Sequence, residues 1–266
     1  MDLGLADKAA VVLASTSGLG LAVARSLVAE GARVALSGRD PARLAAALDA
    51  LAGAPGARER LFGEAFDVTD RARLEAHLAA AARRFGRPIE VLVTNAGGPP
   101  PATALEVDDA RLQAAHELTL RSAIHAVQAV LPGMRAAGWG RIVGLTSSSV
   151  RVPISTLVYS NVMRAGLTAY FKSLAGEVAR EGVLVNTVCT GAFATERIEE
   201  LMHALAKRSG RSVDEERAEY VRRIPVQRLG RPEEFGDFVA FLCSRRCSFL
   251  SGVALAYDGG ANPGLL

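Results

Sequence analysis

A cluster of small residues follows the first apolar run of the sequence. Residues 9–13 are almost wholly apolar, and they lead into the stretch Leu13-Ala14-Ser15-Thr16-Ser17-Gly18-Leu19-Gly20. Apolar side chains then recur at helical spacing over residues 18–30, so the pattern predicts a strand, a tight turn and a helix. Backbone amides in such a turn, with the positive end of the helix dipole, can bind a pyrophosphate. The sequence therefore predicts a dinucleotide-phosphate site at this turn.

An arginine follows the second apolar run. Residues 33–36 predict a second strand, and Ser37-Gly38-Arg39 comes directly after it. At the end of this strand an acidic side chain would bind the adenosine ribose hydroxyls, whereas an arginine can pair with a 2′-phosphate. Arg39 therefore favours NADP(H), with NAD(H) as a possible cofactor. A solvated surface arginine is the alternative interpretation.

The rest of the chain continues the alternation of strand and helix. Strands are predicted near 65–68 and at 89–94, 141–146, 184–188 and 253–256, and helices at 71–85, 111–137, 157–181 and 232–243. Strands that are apolar on both faces, with helices between them, indicate a parallel sheet covered on both sides. The predicted fold is α/β, a single-domain doubly wound (Rossmann) parallel sheet with helices on both faces.

One segment interrupts this rhythm. Residues 192–223 contain the charge-dense stretches Thr195-Glu-Arg-Ile-Glu-Glu and Asp214-Glu-Glu-Arg. Binding loops of open α/β sheets lie beyond the carboxyl ends of the strands. We therefore expect residues 1–266 to form one domain in which 192–223 is a mobile lid over the site.

Composition narrows the function classes. Half of the 266 residues are hydrophobic and 22% are charged, which is typical of a globular domain. The net charge is only +3 and the arginines are scattered, so a nucleic-acid partner is not expected. No apolar run reaches membrane-spanning length and the first residues lack the pattern of a secretion signal, so we expect a cytoplasmic protein without a membrane partner. The three cysteines are not grouped with other potential metal ligands in the sequence, and we expect them to be reduced core residues.

Several ordered motifs resemble those of the short-chain dehydrogenase/reductase family, including members similar to 3-oxoacyl-ACP reductases. They are Asp67-Val68, Thr94-Asn95-Ala96-Gly97, Arg228-Leu229-Gly230-Arg231-Pro232-Glu233-Glu234 and Tyr257-Asp258-Gly259-Gly260. The resemblance implies a cofactor site that includes Asp67, Val68, Asn95, Ala96, Gly97, Gly191 and Thr195. It also marks a departure, since Ala14 stands where the family has its first glycine in the phosphate turn.

The resemblance also implies a catalytic set of Asn, Ser, Tyr and Lys. In the family the tyrosine transfers the proton and the lysine lowers the pKa of that tyrosine, which is otherwise ~10. Counting from the strand at 140–143 puts the family serine on Ser147 and the tyrosine position on Ser160. Counting back from Val185-Asn186 puts the lysine position on Arg164. The two counts agree, because Ser160 and Arg164 have the required four-residue spacing.

A second register uses Thr146, Tyr159 and Met163, which restores the tyrosine but removes the cation. Tyr159 paired with Arg164 would be about 140° apart around a helix. We favour Ser160 with Arg164.

The same alignment puts Thr119 at the family asparagine position, so only Ser147 is retained of the four. We expect Ser147 to orient the substrate oxygen and Arg164 to hold the nicotinamide ribose. Ser160, Tyr159 or a bound water would relay the proton.

These residues favour an NADP(H)-preferring oxidoreductase that interconverts a small-molecule carbonyl compound and an alcohol through an atypical proton-relay site. A dinucleotide-binding protein with little or no turnover, a sensor or partner subunit, is the alternative. An enzyme of another class on the same scaffold, such as a lyase or epimerase, is a third possibility. By analogy with the family we expect a homo-oligomer, a dimer or tetramer.

Overall fold

The computed structural model describes residues 1–53 and 56–264, and within them a seven-stranded parallel sheet forms the centre of the molecule. The spatial order is β3-β2-β1-β4-β5-β6-β7. The strands are β1 (Ala9–Val12), β2 (Arg33–Gly38), β3 (Leu61–Ala65), β4 (Val91–Thr94), β5 (Gly140–Leu145), β6 (Val183–Thr190) and β7 (Ala254–Tyr257). The chain order reverses between β1 and β4, which is where doubly wound sheets bind their ligands.

Helices cover both faces of the sheet, as predicted. They are α1 (Gly18–Ala29), α2 (Pro41–Leu51), α3 (Arg71–Phe85), α4 (Asp109–Ala115), α5 (Ser122–Ala136), α6 (Val158–Val178), α7 (Glu196–Ser209), α8 (Val213–Arg222) and α9 (Pro232–Cys243). The single-domain Rossmann architecture predicted from the sequence is confirmed.

Alternate side chains of the central strands enter two separate cores. Val12 belongs to the core beneath α1, α2 and α9, whereas Val11 belongs to the core beneath α3, α5 and α6. Helices α1 and α9 approach so closely that a Cβ added at Gly236 would lie 2.4 Å from the Ala22 carbonyl oxygen. Burial on both faces explains why the central strands read as continuous apolar runs.

The third strand differs from its prediction. It spans Leu61–Ala65, whereas the apolar run near 65–68 had suggested a strand there. As the outermost strand it pairs with β2 alone, so it does not need to be apolar on both faces. The chain leaves the sheet at Asp67, whose carboxylate accepts a hydrogen bond from the Thr69 amide at 2.9 Å. Phe66 and Val68 are buried in the core from a loop.

The long helix predicted at 111–137 contains a defect that the periodicity did not show. Between α4 and α5 the backbone forms a π-helical segment, His116–Arg121, which we call the π segment. Such segments are frequent at functional sites because the extra residue shifts the faces of the helix that follows. Thr119 lies in the π segment and is buried.

The predicted lid is helical. Residues 192–223 contain α7 and α8, which follow β6. Over the described ranges no helix is long and apolar enough to span a bilayer, and the same residues hold no cluster of three or more potential metal ligands.

Candidate active site

The phosphate turn is tied to three strand ends. The Ala14 amide donates to Ser37 Oγ at 3.2 Å, and the Ala14 carbonyl accepts from Asn95 Nδ2 at 3.0 Å. Because Ser37 is the last residue but one of β2 and Asn95 follows β4, the turn after β1 is held between these two neighbouring strands. Ser37 was not among the predicted site residues, although a polar residue near the end of a buried apolar strand is a signal for such a role.

Ala14 has a backbone conformation that disfavours a side chain. Its φ is +47°, in the left-handed region, where a Cβ costs roughly 1–2 kcal/mol. The family's glycine would adopt this conformation freely. The departure noted in the sequence is therefore a local strain, accepted in a turn that its neighbours hold in place.

Two glycines shape the cradle beside Ala14. A Cβ at Gly20 would lie 2.5 Å from the Ala14 carbonyl oxygen, so α1 can reach the turn only without a side chain there. Gly18 has φ +54°. Ser17 makes no side-chain bond to the first turn of α1, so its hydroxyl does not cap the amides there. These features fit a pyrophosphate at the helix N-terminus.

Ser15 was predicted to bind the cofactor, and in the structure its polar groups are bonded within the turn. The residue is fully buried. Its hydroxyl donates to the Val12 carbonyl at 2.7 Å, and its amide donates to the Ser37 carbonyl at 2.8 Å. Both polar groups serve the backbone of the turn, so Ser15 holds the turn in shape from the inside.

The end of β2 is open around Arg39. The Arg39 side chain is 80% exposed, with only a 4.0 Å contact to the Asp67 carboxylate. A Cβ at Gly38 would lie 2.4 Å from Thr16 Cγ2, so an acidic residue at this position would collide with Thr16. The structure thus leaves the Arg39 side chain exposed at the end of β2 and leaves no room for a side chain at Gly38 unless Thr16 moves.

The other predicted cofactor residues differ in their surroundings. Asn95 and Ala96 are half-buried, and Gly97 is exposed. Thr195 faces the turn, since its Cγ2 would be 3.8 Å from a Cβ on Gly18. Packing alone requires a glycine at position 191, because a Cβ there would lie 2.5 Å from Asp258 Cα.

Ser160 and Arg164 lie one turn apart on α6, and both are buried. Arg164 Nη1 donates to the Leu145 carbonyl at the end of β5, at 2.9 Å. Burial lowers the pKa of Arg164 to about 10. The Ser160 hydroxyl makes no hydrogen bond within residues 1–53 and 56–264, so it has its proton available.

Ser147 begins the turn Ser148–Val150, against which α6 packs. Its Oγ accepts from the Ser149 amide at 3.1 Å, which leaves the hydroxyl proton free to donate. The loop after β5 and the first turns of α6 therefore bring Ser147 into the region of Ser160.

Tyr159, the catalytic residue of the second register, is turned away from the face that carries Ser160, so the geometry favours the first register. Tyr159 is 1% exposed and packs with Met163 in a small cluster. Its hydroxyl accepts from the Asp108 amide at 3.0 Å. The Thr146 hydroxyl is likewise bonded within the protein, since it donates to the Val188 carbonyl at 3.1 Å. One residue on a helix turns the side chain by about 100°, which moves Tyr159 away from the face that carries Ser160.

A small cavity lies beside Arg164. It has about 10 Å³ of space for the centre of a water molecule. The lining residues come from the ends of β1, β4 and β5, from α6, and from α5 with the π segment before it: Leu13, Thr94, Asn95, Ala96, Thr119, Ser122, Ala123, Leu145, Arg164 and Leu167. Thr119, predicted at the family asparagine position, is thus placed beside Arg164.

The strand order, the glycine cradle and the polar groups at the carboxyl ends of the strands define a dinucleotide-binding α/β protein. Residues 13–262 match the model of a family described as enoyl-(acyl carrier protein) reductase. D-beta-hydroxybutyrate dehydrogenase from Cupriavidus necator is 32% identical over 257 residues, which cover 96% of this chain and 98% of that protein. The chain belongs to the short-chain dehydrogenase/reductase family of oxidoreductases.

Solved structures agree over the whole chain. L-sorbose reductase from Gluconobacter frateurii, complexed with NADPH and L-sorbose, has a TM-score of 0.94 and 32% identity, with 100% of each chain covered. A short-chain oxidoreductase from Pseudomonas aeruginosa PAO1, described as containing an atypical catalytic center, has a TM-score of 0.89 and 32% identity. The match covers 99% of this chain and 100% of that one.

The strain at Ala14 gives the first prediction. Ala14→Gly should raise the free energy of unfolding by about 0.5–1 kcal/mol, because removal of the Cβ relieves a left-handed residue. Urea denaturation of the two proteins measures it. The control is Ala45→Gly on the exposed face of α2, which should lose about 1 kcal/mol. A loss of stability at both positions would contradict the assigned strain.

The second prediction concerns Tyr159. Tyr159→Phe should lower the free energy of unfolding by about 1 kcal/mol, since the Asp108 amide loses its partner. The same change should leave kcat within about two-fold, because the general acid–base effect of ~10² or more is not supplied by this phenol. Tyr170→Phe on the same helix is the matched control. A hundred-fold fall in kcat with the fold intact would restore Tyr159 to the mechanism.

Proposed function

We propose that this protein is an NADP(H)-preferring oxidoreductase that interconverts a carbonyl compound and an alcohol, with Ser160 and Arg164 in place of the family's tyrosine and lysine. One observation carries the proposal: Ser160 lies one turn before a buried Arg164, while the adjacent Tyr159 is turned into the core. The similar L-sorbose reductase complexed with NADPH and L-sorbose supports a small-molecule substrate and this cofactor.

The chain offers a suitable residue for each part of the cofactor. The turn from Ala14 to Gly20 would hold the pyrophosphate, and Arg39 the 2′-phosphate. Asp67, Val68, Asn95, Ala96, Gly97, Gly191 and Thr195 would complete the site in the family manner. The bound nicotinamide would supply or accept the hydride.

The two serines have complementary tasks at the substrate oxygen. Ser147 donates a hydrogen bond from its free hydroxyl to that oxygen and fixes its position. Ser160 transfers a proton to the oxygen during reduction and takes one back during alcohol oxidation. Arg164 holds the nicotinamide ribose with the donors that its bond to Leu145 leaves free.

A serine hydroxyl is too weak an acid to do this alone, so a second group must restore its proton. The Arg164 guanidinium is the neighbour one turn away, and burial lowers its pKa to about 10. The guanidinium stays charged at neutral pH, so it stabilises negative charge and is not itself the proton source. In the reduction direction Ser160 gives its proton to the substrate oxygen and a bound water restores that proton, and alcohol oxidation reverses both transfers.

A dinucleotide-binding protein with little turnover is the second candidate. The observation in its favour is that the α6 face beside Ser147 carries a hydroxyl of low acidity where the family has a phenol. A sensor or partner subunit would need the cofactor site but not the relay. The two candidates therefore differ in turnover and agree in cofactor binding.

Two further features belong to the proposal. Residues 192–223 act as a lid, and an exposed ion pair at 3.1 Å joins Glu196 of α7 to Arg43 of α2 across the cofactor side. The protein forms a homo-oligomer, a dimer or tetramer, which the fully exposed apolar side chains of Phe249 and Leu105 favour.

The cofactor preference gives the third prediction. Arg39→Ala should lower kcat/KM for NADPH by about 10–100-fold, the equivalent of one charge-assisted hydrogen bond to phosphate, and leave NADH unchanged. Steady-state kinetics with both cofactors measure it. Arg58→Ala, which removes another exposed arginine, is the control. Equal losses with NADPH and NADH would contradict a role at the 2′-phosphate.

The fourth prediction tests the reaction itself. Against a panel of ketoses, oxo acids and β-oxo thioesters with NADPH, Ser160→Ala should lower kcat by about 10²-fold or more, with NADPH binding retained. Ser173→Ala, which removes an exposed hydroxyl of the same helix, should have no effect. A different outcome would favour the second candidate: NADPH binds, no substrate turns over, and the double variant Ser160→Tyr/Arg164→Lys acquires turnover.

A further inference from the structure

A histidine is buried where helix α3 packs against the edge strand β3. His77 is fully buried on the inner face of α3. Its ring stacks on that of Phe62, with centroids 5.4 Å apart, and lies beside that of Phe66 at 5.0 Å. Between these two rings the strand presents Glu64, whose carboxylate is 3.0 Å from His77 Nδ1. We call these four residues the His77 cluster.

The two ring nitrogens of His77 have different surroundings. A carboxylate only accepts, so Nδ1 carries a proton and donates it to Glu64. Nε2 is buried and has no hydrogen-bond partner among the described residues. Protonation of the ring would turn Nε2 into a buried donor without an acceptor and add a charge between two phenyl rings. The His77 cluster therefore suits the neutral ring and opposes the charged one.

One charged group contacts the imidazole, the half-exposed Glu64. The other titratable groups on α3, beside β3 and on α5 that come closest to this region are Glu59, Asp67, Asp70, Arg73, Arg84 and His125. Arg73, one helical turn before His77, is directed to the Ala65 carbonyl at 3.4 Å. Burial lowers the pKa of His77, and the hydrogen bond and charge of Glu64 raise it by less. The net preference is for the neutral ring.

Strand β3 is held on few sides. It has five residues and pairs with β2 alone. Successive side chains of a strand point to opposite faces, so Phe62 and Glu64 share the face that meets α3. Edge elements with little pairing are where local opening begins. The His77 cluster is therefore the attachment of this edge strand to α3.

We propose that His77 and Glu64 form an acid-sensitive latch, which holds β3 and the loop after it against α3 and releases them when the His77 ring is protonated. Phe66 leads directly into Asp67, so release would also move this predicted cofactor contact. That consequence rests on the proposed function, whereas the latch rests on the His77 cluster alone.

The direction of the effect follows from the two states of the latch. In the open state the ring meets water and regains its ordinary pKa of ~6.5. The pKa in the closed state is lower, so the closed state is favoured above pH ~6.5 and loses this advantage as the pH falls toward the closed-state pKa. At pH 5.5 the exposed ring is charged about ten to one, so acid favours opening by up to about ten-fold.

The experiment is amide hydrogen exchange of the full-length protein, followed by mass spectrometry over residues 61–70 and corrected for the intrinsic effect of pH on exchange. Between pH 7.5 and pH 5.5 we expect protection of this segment to fall by about 5–10-fold in the wild type. In His77→Phe the fall should stay below about two-fold, because a phenyl ring keeps the stacking and does not titrate. His77→Gln, whose amide can donate to Glu64, replaces that variant if it does not fold.

Two further variants sharpen the test. His203→Phe makes the same replacement at an exposed histidine of α7 and should keep the wild-type response. Glu64→Gln removes the charge that favours the protonated ring, so its response should stay near ten-fold. An equal fall in the wild type and in the His77 variant would overturn the proposal, as would a wild-type fall of the same size in the central strands β1 and β4. Neither measurement needs cofactor or substrate, so the latch can fail while the proposed function stands, and the reverse.

Discussion

The hydrogen bond from Arg164 to the Leu145 carbonyl anchors the candidate active site. It ties helix α6 to the carboxyl end of β5, the strand that leads directly into Ser147. Because a helix is rigid over one turn, fixing Arg164 also fixes Ser160 on the same face. The neighbouring Tyr159 is then turned into a small apolar cluster, where its hydroxyl finds the Asp108 amide.

The predicted cofactor side depends on a different constraint, a strained backbone conformation at one residue of the turn. Ala14 remains in the left-handed region because Ser37 and Asn95 bind its amide and carbonyl from two neighbouring strands. The same bonds hold the Ala14 carbonyl so close to Gly20 that a side chain at position 20 would clash with it. Strain at one residue is therefore offset by hydrogen bonds, and the result is a turn whose amides and helix N-terminus suit a phosphate.

The sequence predicted the fold well because parallel strands and covering helices have distinct periodicities, and most boundaries followed. Its errors share one physical cause: local pattern does not show which neighbour a residue will meet. The third strand was misplaced because β3 pairs on one side only and needs little apolar character. Ser15 belongs to the phosphate turn in the chain, yet its hydroxyl is bound by Val12 beneath it. In contrast, helical spacing was enough to put Ser160 and Arg164 on one face of α6, and their catalytic roles stay a prediction.

The replacement of an ammonium by a guanidinium explains why the other catalytic positions differ together. A guanidinium offers five donors in a plane, so Arg164 can bond to the strand and still present donors to the cavity. Under the proposed function, the compact Ser160 one turn before this larger side chain would be the contact with substrate, and the buried guanidinium would stabilise the negative charge that develops on the substrate oxygen.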